Sequence, residues 1–347
     1  MASLAVSLSI LALSLALLVY GPISDSVGRK PVMVSTGFLL VIPTLLIAMA
    51  SSFTIFLVMR TLQGLFIAGI AAIAMAYIAE EFPPDAVGRT MGIYVSSMVA
   101  AGFTGRVLGG VLSGLYGWRT AFLIFGILNL AGSFLLFRFL PPSSHFKRGR
   151  KITASFSGMI AHLRNRKLLG AFLIAFMLFF TFTGAFTYIT FYLSGEPFHL
   201  STIQLGLIFM VYVTGILSPA AGALSERLGR RTVMAAGLSL AVAGISLTAV
   251  HSLKVIILAL LLLCAGLFCT QPAASAFVGD NAREGKGSAT SLYLFFYYLG
   301  GSGGALLPGF LWDAFGWPGV MAACYVSLGF SFFSLSVLCR EPGPNIT

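Results

Sequence analysis

The sequence predicts an all-α integral membrane protein made of two repeated helical bundles, and three observations predict it. Charged residues make up 9% of the 347 positions, against roughly 25% in a soluble domain. They fall in short clusters between apolar runs of about 20 residues, the length of helix that crosses a hydrocarbon core. A segment near the start of the chain returns, altered, 201 positions later.

Taken in order, the apolar runs give eleven spans, at 3–20, 32–50, 54–79, 90–115, 119–139, 168–193, 203–221, 232–250, 254–278, 288–312 and 318–339. The first is a true span and not a cleavable leader: no Lys or Arg precedes it, its apolar stretch is long, and no small-residue cleavage site comes before Arg29 and Lys30. The third contains Arg60, and the fourth contains Arg106 within a ladder of glycines. Pro219 and Pro308 stand near span ends and are expected to bend their helices, with neighbours absorbing the freed backbone groups.

The basic residues orient the spans. Seventeen of the 21 lie in one set of alternate connections and on the tail at Arg340, whereas the opposite set holds Arg119 and Lys254. Lys and Arg accumulate on the cytoplasmic side, which places the C-terminus there and Met1 outside. The net charge of +11 follows from the same pattern and suits anionic lipid; nucleic acid is not an expected partner. Residues 141–167 carry seven basic residues and no acid, and form the linker between an N-terminal bundle (1–140) and a C-terminal six-helix bundle (168–347). Within the linker Ile152, Phe156, Met159, Ile160 and Leu163 recur at helical spacing, which fits either an amphipathic helix on the inner leaflet or a basic loop.

The repeat pairs Gly21–Met33 with Gly222–Met234, six identities in thirteen, with conservative exchanges at Asp25/Glu226 and Lys30/Arg231. A second match, at an offset of 199, pairs Gly88, Tyr94, Gly105, Gly110, Gly117 and Trp118 with Gly287, Tyr293, Gly304, Gly309, Gly316 and Trp317. The two halves are read as duplicates with parallel topology. In this register the span 168–193 has no partner in the first half, so a helix is expected to be missing from the start of the first bundle, leaving five plus six spans.

On these residues the chain resembles the major facilitator superfamily, in particular its twelve-spanner drug:proton antiporter and sugar-efflux branch from bacterial inner membranes. The family's G-x-x-x-D-x-x-G-R-(K/R) loop is matched by Gly21, Asp25, Gly28, Arg29 and Lys30, and its second copy by Gly222, Glu226, Gly229, Arg230 and Arg231. The resemblance implies a gating loop: glycines allow the tight turn while Arg29 holds a neighbouring carboxylate or helix end. R-x-x-Q-G is matched by Arg60, Gln63 and Gly64, implying a role in proton coupling. Snorkelling to the outer surface is the structural alternative for Arg60. The antiporter motif G-x-x-x-G-P-x-x-G-G is matched at Gly102, Gly105, Gly109 and Gly110, with Arg106 in place of the proline. The glycines suit close helix packing. Arg106 points to an anionic or zwitterionic substrate, or to pairing with a carboxylate.

Polar and amphipathic side chains inside spans, at Gln63, Tyr188, Tyr212, Gln271, Tyr293 and Tyr297, are the expected lining of a solute path. No carboxylate lies at mid-span, and no nucleophile with a base, metal cluster or phosphate loop is present. The four cysteines read as small core residues, without disulfide or zinc spacing. The expectation is therefore a monomeric, cofactor-free secondary transporter and not an enzyme: efflux of a small amphipathic or sugar-like solute against protons, or else uniport or import of an anion or zwitterion, or a truncated form that does not transport.

Overall fold

The computed structural model describes residues 2–143, 161–282 and 286–340. Among these residues there is no strand, and eleven helices follow one another along the chain. They are α1 (Ala2–Val27), α2 (Arg29–Ala48), α3 (Phe53–Glu81), α4 (Pro84–Tyr116), α5 (Trp118–Phe139), α6 (Arg166–Ser194), α7 (Thr202–Leu228), α8 (Arg230–Leu247), α9 (Leu253–Asn281), α10 (Lys286–Leu306, continued as Pro308–Phe315) and α11 (Trp317–Leu338). The suggested amphipathic helix of the linker falls outside the described residues, apart from its last turn.

Sharp turns between antiparallel neighbours occur where the repeat places glycine. Gly28 and Gly229 have φ of 111° and 90°, and Gly117 and Gly316 have φ of 83° and 61°. An L side chain is strained in that region, so the two glycine pairs fix the α1–α2, α7–α8, α4–α5 and α10–α11 corners. Proline acts as expected at two interruptions. α7 runs as a 3₁₀-helix over Phe209–Leu217 and returns to α-helix with Pro219 in its first turn, while α10 breaks at Leu307 and restarts at Pro308.

Nine of these helices are long and apolar enough to cross a bilayer. The other two of the eleven expected spans, α4 and α8, are less apolar. Two of the 18 residues of α8 are Arg230 and Arg231, and α4 is diluted by glycine, serine and Arg106. Both instead make close helix contacts: a Cβ on Gly244 of α8 would stand 2.5 Å from the Leu263 nitrogen of α9, and one on Gly110 of α4 would stand 2.5 Å from the Gly206 Cα of α7.

The core is centred on α6. Its most apolar stretch is 67% buried, against 17% for that of α5. Phe172, Ile174, Leu178, Ile189 and Leu193 of α6 join Met234, Leu238, Leu260, Leu263 and Val320 in one cluster. The first five helices share smaller clusters around Val32, Met33, Ile73 and Tyr77, and around Ala16, Leu17 and Ala68. α5 presents Leu123, Ile127, Leu128, Phe134 and Leu135 outward, the surface a lipid-facing helix requires. The halves meet along two helix pairs, α1 with α10 and α4 with α7. In the first pair Ser7 Oγ and Ser302 Oγ are 3.0 Å apart, and Ser302 Oγ donates to the Ser7 carbonyl at 3.0 Å.

Candidate functional site: paired arginine clamps and a central arginine

The sequence Gly-x-x-Ser-(Asp/Glu)-x-x-Gly-Arg puts an arginine at the first residue of the next helix and a carboxylate one turn before it. In the first half Arg29 is buried. Its Nε and Nη2 donate to Glu80 Oε2 and Oε1 at 3.0 and 2.7 Å, a bidentate fork of the kind guanidinium favours. Its Nη1 lies 2.6 Å from Asp25 Oδ1 and also donates to Ser24 Oγ. Ser24 Oγ in turn donates to the Gly21 carbonyl at 2.8 Å. Three helices are thereby tied at one end: α1 through Ser24 and Asp25, α2 through Arg29, and α3 through Glu80.

The second half repeats the arrangement more loosely. Arg230 Nε donates to Asp280 Oδ2 at 3.1 Å, its Nη1 donates to Ser225 Oγ at 2.6 Å and to the Gly222 carbonyl at 3.5 Å, and its Nη2 lies 3.8 Å from Glu226 Oε1. The carboxylate side chains are 70% exposed at Glu226 and 55% at Asp280, against 28% at Asp25 and 34% at Glu80. Lys30 is half-buried beside the first clamp. Arg231 reaches the Leu335 carbonyl with Nη2 at 3.4 Å.

Sequence reasoning missed two members of each clamp. Ser24 and Ser225 are among the six identities of the repeat, and that identity was the available signal. Glu80 and Asp280 are 200 positions apart, between the two offsets of the repeat, so neither register pairs them.

Further into the first half, Arg60 Nη1 donates to Gln63 Oε1 at 2.9 Å, and Gln63 Nε2 donates to Thr44 Oγ1 at 2.8 Å. Arg60 also stands 5.9 Å from the centre of the Phe122 ring. The R-x-x-Q spacing thus builds a polar chain joining α3 to α2. Gly64 follows because a Cβ there would come within 1.8 Å of the Ser9 carbonyl of α1.

On α4, Gly109 and Gly110 are contact positions, against Phe125 and Gly206. For Gly102 and Gly105 the packing expectation needs correction: among the described residues a Cβ on Gly105 would meet nothing within 4 Å, and one on Gly102 would meet only Arg106 Nη1 at 3.9 Å. Their repeat partners show the reason. A Cβ on Gly301 or Gly304 would stand 2.2 Å from Phe179 Cδ1 or from the Phe180 carbonyl oxygen, both on α6, and no described helix covers α4 in the corresponding way. The tryptophan pair differs likewise: Trp317 is buried, stacks on Tyr192 of α6 at 5.5 Å and donates to Thr248 Oγ1 at 3.1 Å, whereas Trp118 is 40% exposed.

The tyrosines named as solute contacts divide. Tyr188 and Tyr293 are buried in the second half, donating to the carbonyls of Ala305 at 2.9 Å and Gln271 at 3.2 Å. Their hydroxyls thus do structural work, and the expectation that they line the path is corrected. Tyr297 is half-buried and stacks on Phe179 at 4.3 Å, and Gln271 is half-buried. Tyr212 lies in the 3₁₀ stretch of α7, 5.0 Å from the Arg106 guanidinium carbon.

A profile of the Major Facilitator Superfamily matches residues 1–216 and 195–346 of the chain. The chain belongs to the major facilitator superfamily. It is 38% identical over 323 residues to the uncharacterized MFS-type transporter YybF of Bacillus subtilis, covering 92% of this chain and 80% of the relative. To the inner membrane transport protein YnfM of Escherichia coli it is 38% identical over 322 residues, covering 92% of this chain and 77% of that one. The crystal structure of the human organic anion transporter MFSD10 shares its fold, with a TM-score of 0.74 at 23% identity, over 97% of this chain and 83% of that one. This major facilitator chain is accordingly a multi-pass membrane transporter and not an enzyme.

Proposed function

We propose that this transporter works by alternating access, exporting a small amphipathic or sugar-like solute against proton entry across a bacterial plasma membrane. The duplicated arginine clamp carries the reading. Each clamp ties three helices at one end of its half, and both lie at the ends where the basic residues collect. Two halves latched at the same end, and meeting among the described residues chiefly along two helix pairs, suit a rocking motion about a midplane site. Arg29 and Arg230 are latch residues in this reading and do not contact the solute. The chain Arg60–Gln63–Thr44 is the polar path offered for coupling. The positive-inside pattern supports a cytoplasmic side for the clamps and the C-terminus in this reading.

The open glycine face of α4 and the exposed Trp118 are read as the seat of a further apolar helix, in the place α6 takes in the second half. The test is everted-vesicle transport over a panel of dyes, sugars and organic anions, using this chain and one extended upstream by an apolar helix. Gradient-dependent flux that collapses on dissipating the pH difference supports proton-coupled export. Flux indifferent to the pH difference refutes coupling, and flux in the extended form alone supports the seat.

A further inference from the structure

We propose that Arg106 and Tyr212 form a binding site for the carboxylate of an aromatic organic anion. The inference rests on the transport reading only for its purpose; binding at the site is independent of it.

Arg106 lies ten residues before the end of α4, about 15 Å into the helix. A charge at such depth costs about 2.5–3.5 kcal/mol on insertion scales unless a partner or water meets it. Its Nη1 donates to the Gly102 carbonyl of its own helix at 3.1 Å, and the residue as a whole is exposed. One face rests over aromatic rings, 5.0 Å from the centre of Tyr212 and 5.6 Å from that of Phe209. No ion pair to Arg106 is found among the described residues. The acids lie elsewhere: Asp25, Glu80, Glu226 and Asp280 at the clamp ends, and Glu196 and Asp313 toward the opposite end.

Tyr212 supplies the second, independent observation. Its side chain is buried and its hydroxyl has no hydrogen-bond partner, a costly condition for a buried polar group. Rings of Phe182, Phe186 and Phe209 surround it at 5.0, 4.8 and 5.5 Å between centres. It sits in the 3₁₀ stretch Phe209–Leu217, and such stretches within a helix often mark a hinge. A cation from one half thus lies over the ring of a tyrosine from the other, 5.0 Å from its centre, and that tyrosine carries a hydroxyl without a partner. A carboxylate supplies what both lack: one oxygen pair for the guanidinium fork and for the phenol hydrogen. The aromatic wall suits a ring attached to that carboxylate.

The experiment uses the full chain purified in detergent, with benzoate as probe and benzamide as its neutral isostere. Unfolding is followed by a thiol-reactive dye, which reports on the free cysteines as they become accessible. With 20 mM benzoate the expected result is a rise of about 2–4 °C in the midpoint, since a ligand bound only by the folded state stabilises it. Benzamide should give none. Arg106→Gln should remove the rise, Arg106→Lys should keep part of it, and Tyr212→Phe should reduce it. Equal shifts from both probes, no shift from benzoate in the parent chain, or an undiminished shift in Arg106→Gln would each overturn the proposal. So would stabilisation by phosphatidylglycerol that benzoate fails to reproduce, which would assign Arg106 to a lipid headgroup. Failure of vesicle transport with the benzoate shift intact would refute the transport reading and leave this site standing.

Discussion

Replacing Glu80 with Gln tests whether the two clamps differ in strength as their geometry requires. Arg29 is buried and receives Glu80 through two bonds of 3.0 and 2.7 Å, while Asp25 supplies a second charge at 2.6 Å. Bonds to charged groups contribute about 1.5–3 kcal/mol when shielded. Gln keeps one acceptor oxygen and Asp25 remains, and Glu80 is one-third exposed, so the expected loss is about 1.5 kcal/mol after solvent screening. In the second half Asp280 offers one bond of 3.1 Å and is 55% exposed; Asp280→Asn should cost about 0.5 kcal/mol or less. At roughly 2–4 °C per kcal/mol for a chain somewhat smaller than this one, the midpoint should fall by about 3–6 °C for Glu80→Gln and by about 1–2 °C for Asp280→Asn. The four free cysteines, buried or half-buried, make dye-monitored unfolding in detergent a suitable assay. Equal shifts, or a larger one for Asp280→Asn, would refute the argument that burial makes the first clamp the stronger.

Two further outcomes follow from the glycines. Gly105→Ala should leave the midpoint unchanged or raise it slightly, because the new methyl meets open space and alanine gains about 0.5–1 kcal/mol over glycine within a helix. Its repeat partner Gly304→Ala should lower the midpoint, since the methyl would meet the Phe180 carbonyl at 2.2 Å; the opposite order in paired melts would show that the two faces are packed alike. Gly110→Leu should separate α4 from α7, because even a Cβ there would stand 2.5 Å from the Gly206 Cα. A cysteine placed at Val107 in that variant should react faster with a thiol reagent than in the parent, and an unchanged rate would show that α4 and α7 do not rely on this contact.

Much of the architecture was legible from local chemistry. Apolar run length marked the helices because a bilayer admits few other backbone structures, and glycine marked the corners because only it takes φ of 61–111° without strain. Residues that had to satisfy a partner far along the chain were not legible. The clamp loops could be read from their repeat, but Glu80 and Asp280 arrive from helices some 50 residues away. Tyr188 and Tyr293 look like cavity residues by type and position, yet each hydroxyl is taken by a backbone carbonyl of a neighbouring helix.

The sequence by itself determined the membrane class, the duplicated bundles and the loops that carry the paired arginines, because hydropathy, repeat spacing and turn glycines are properties of short segments. Only the tertiary structure decided which carboxylates hold Arg29 and Arg230, which glycines of α4 are packed, and that Arg106 of one half lies over Tyr212 of the other. Those are matters of which helices become neighbours, and helix neighbours are chosen by interlocking surfaces that no single span contains.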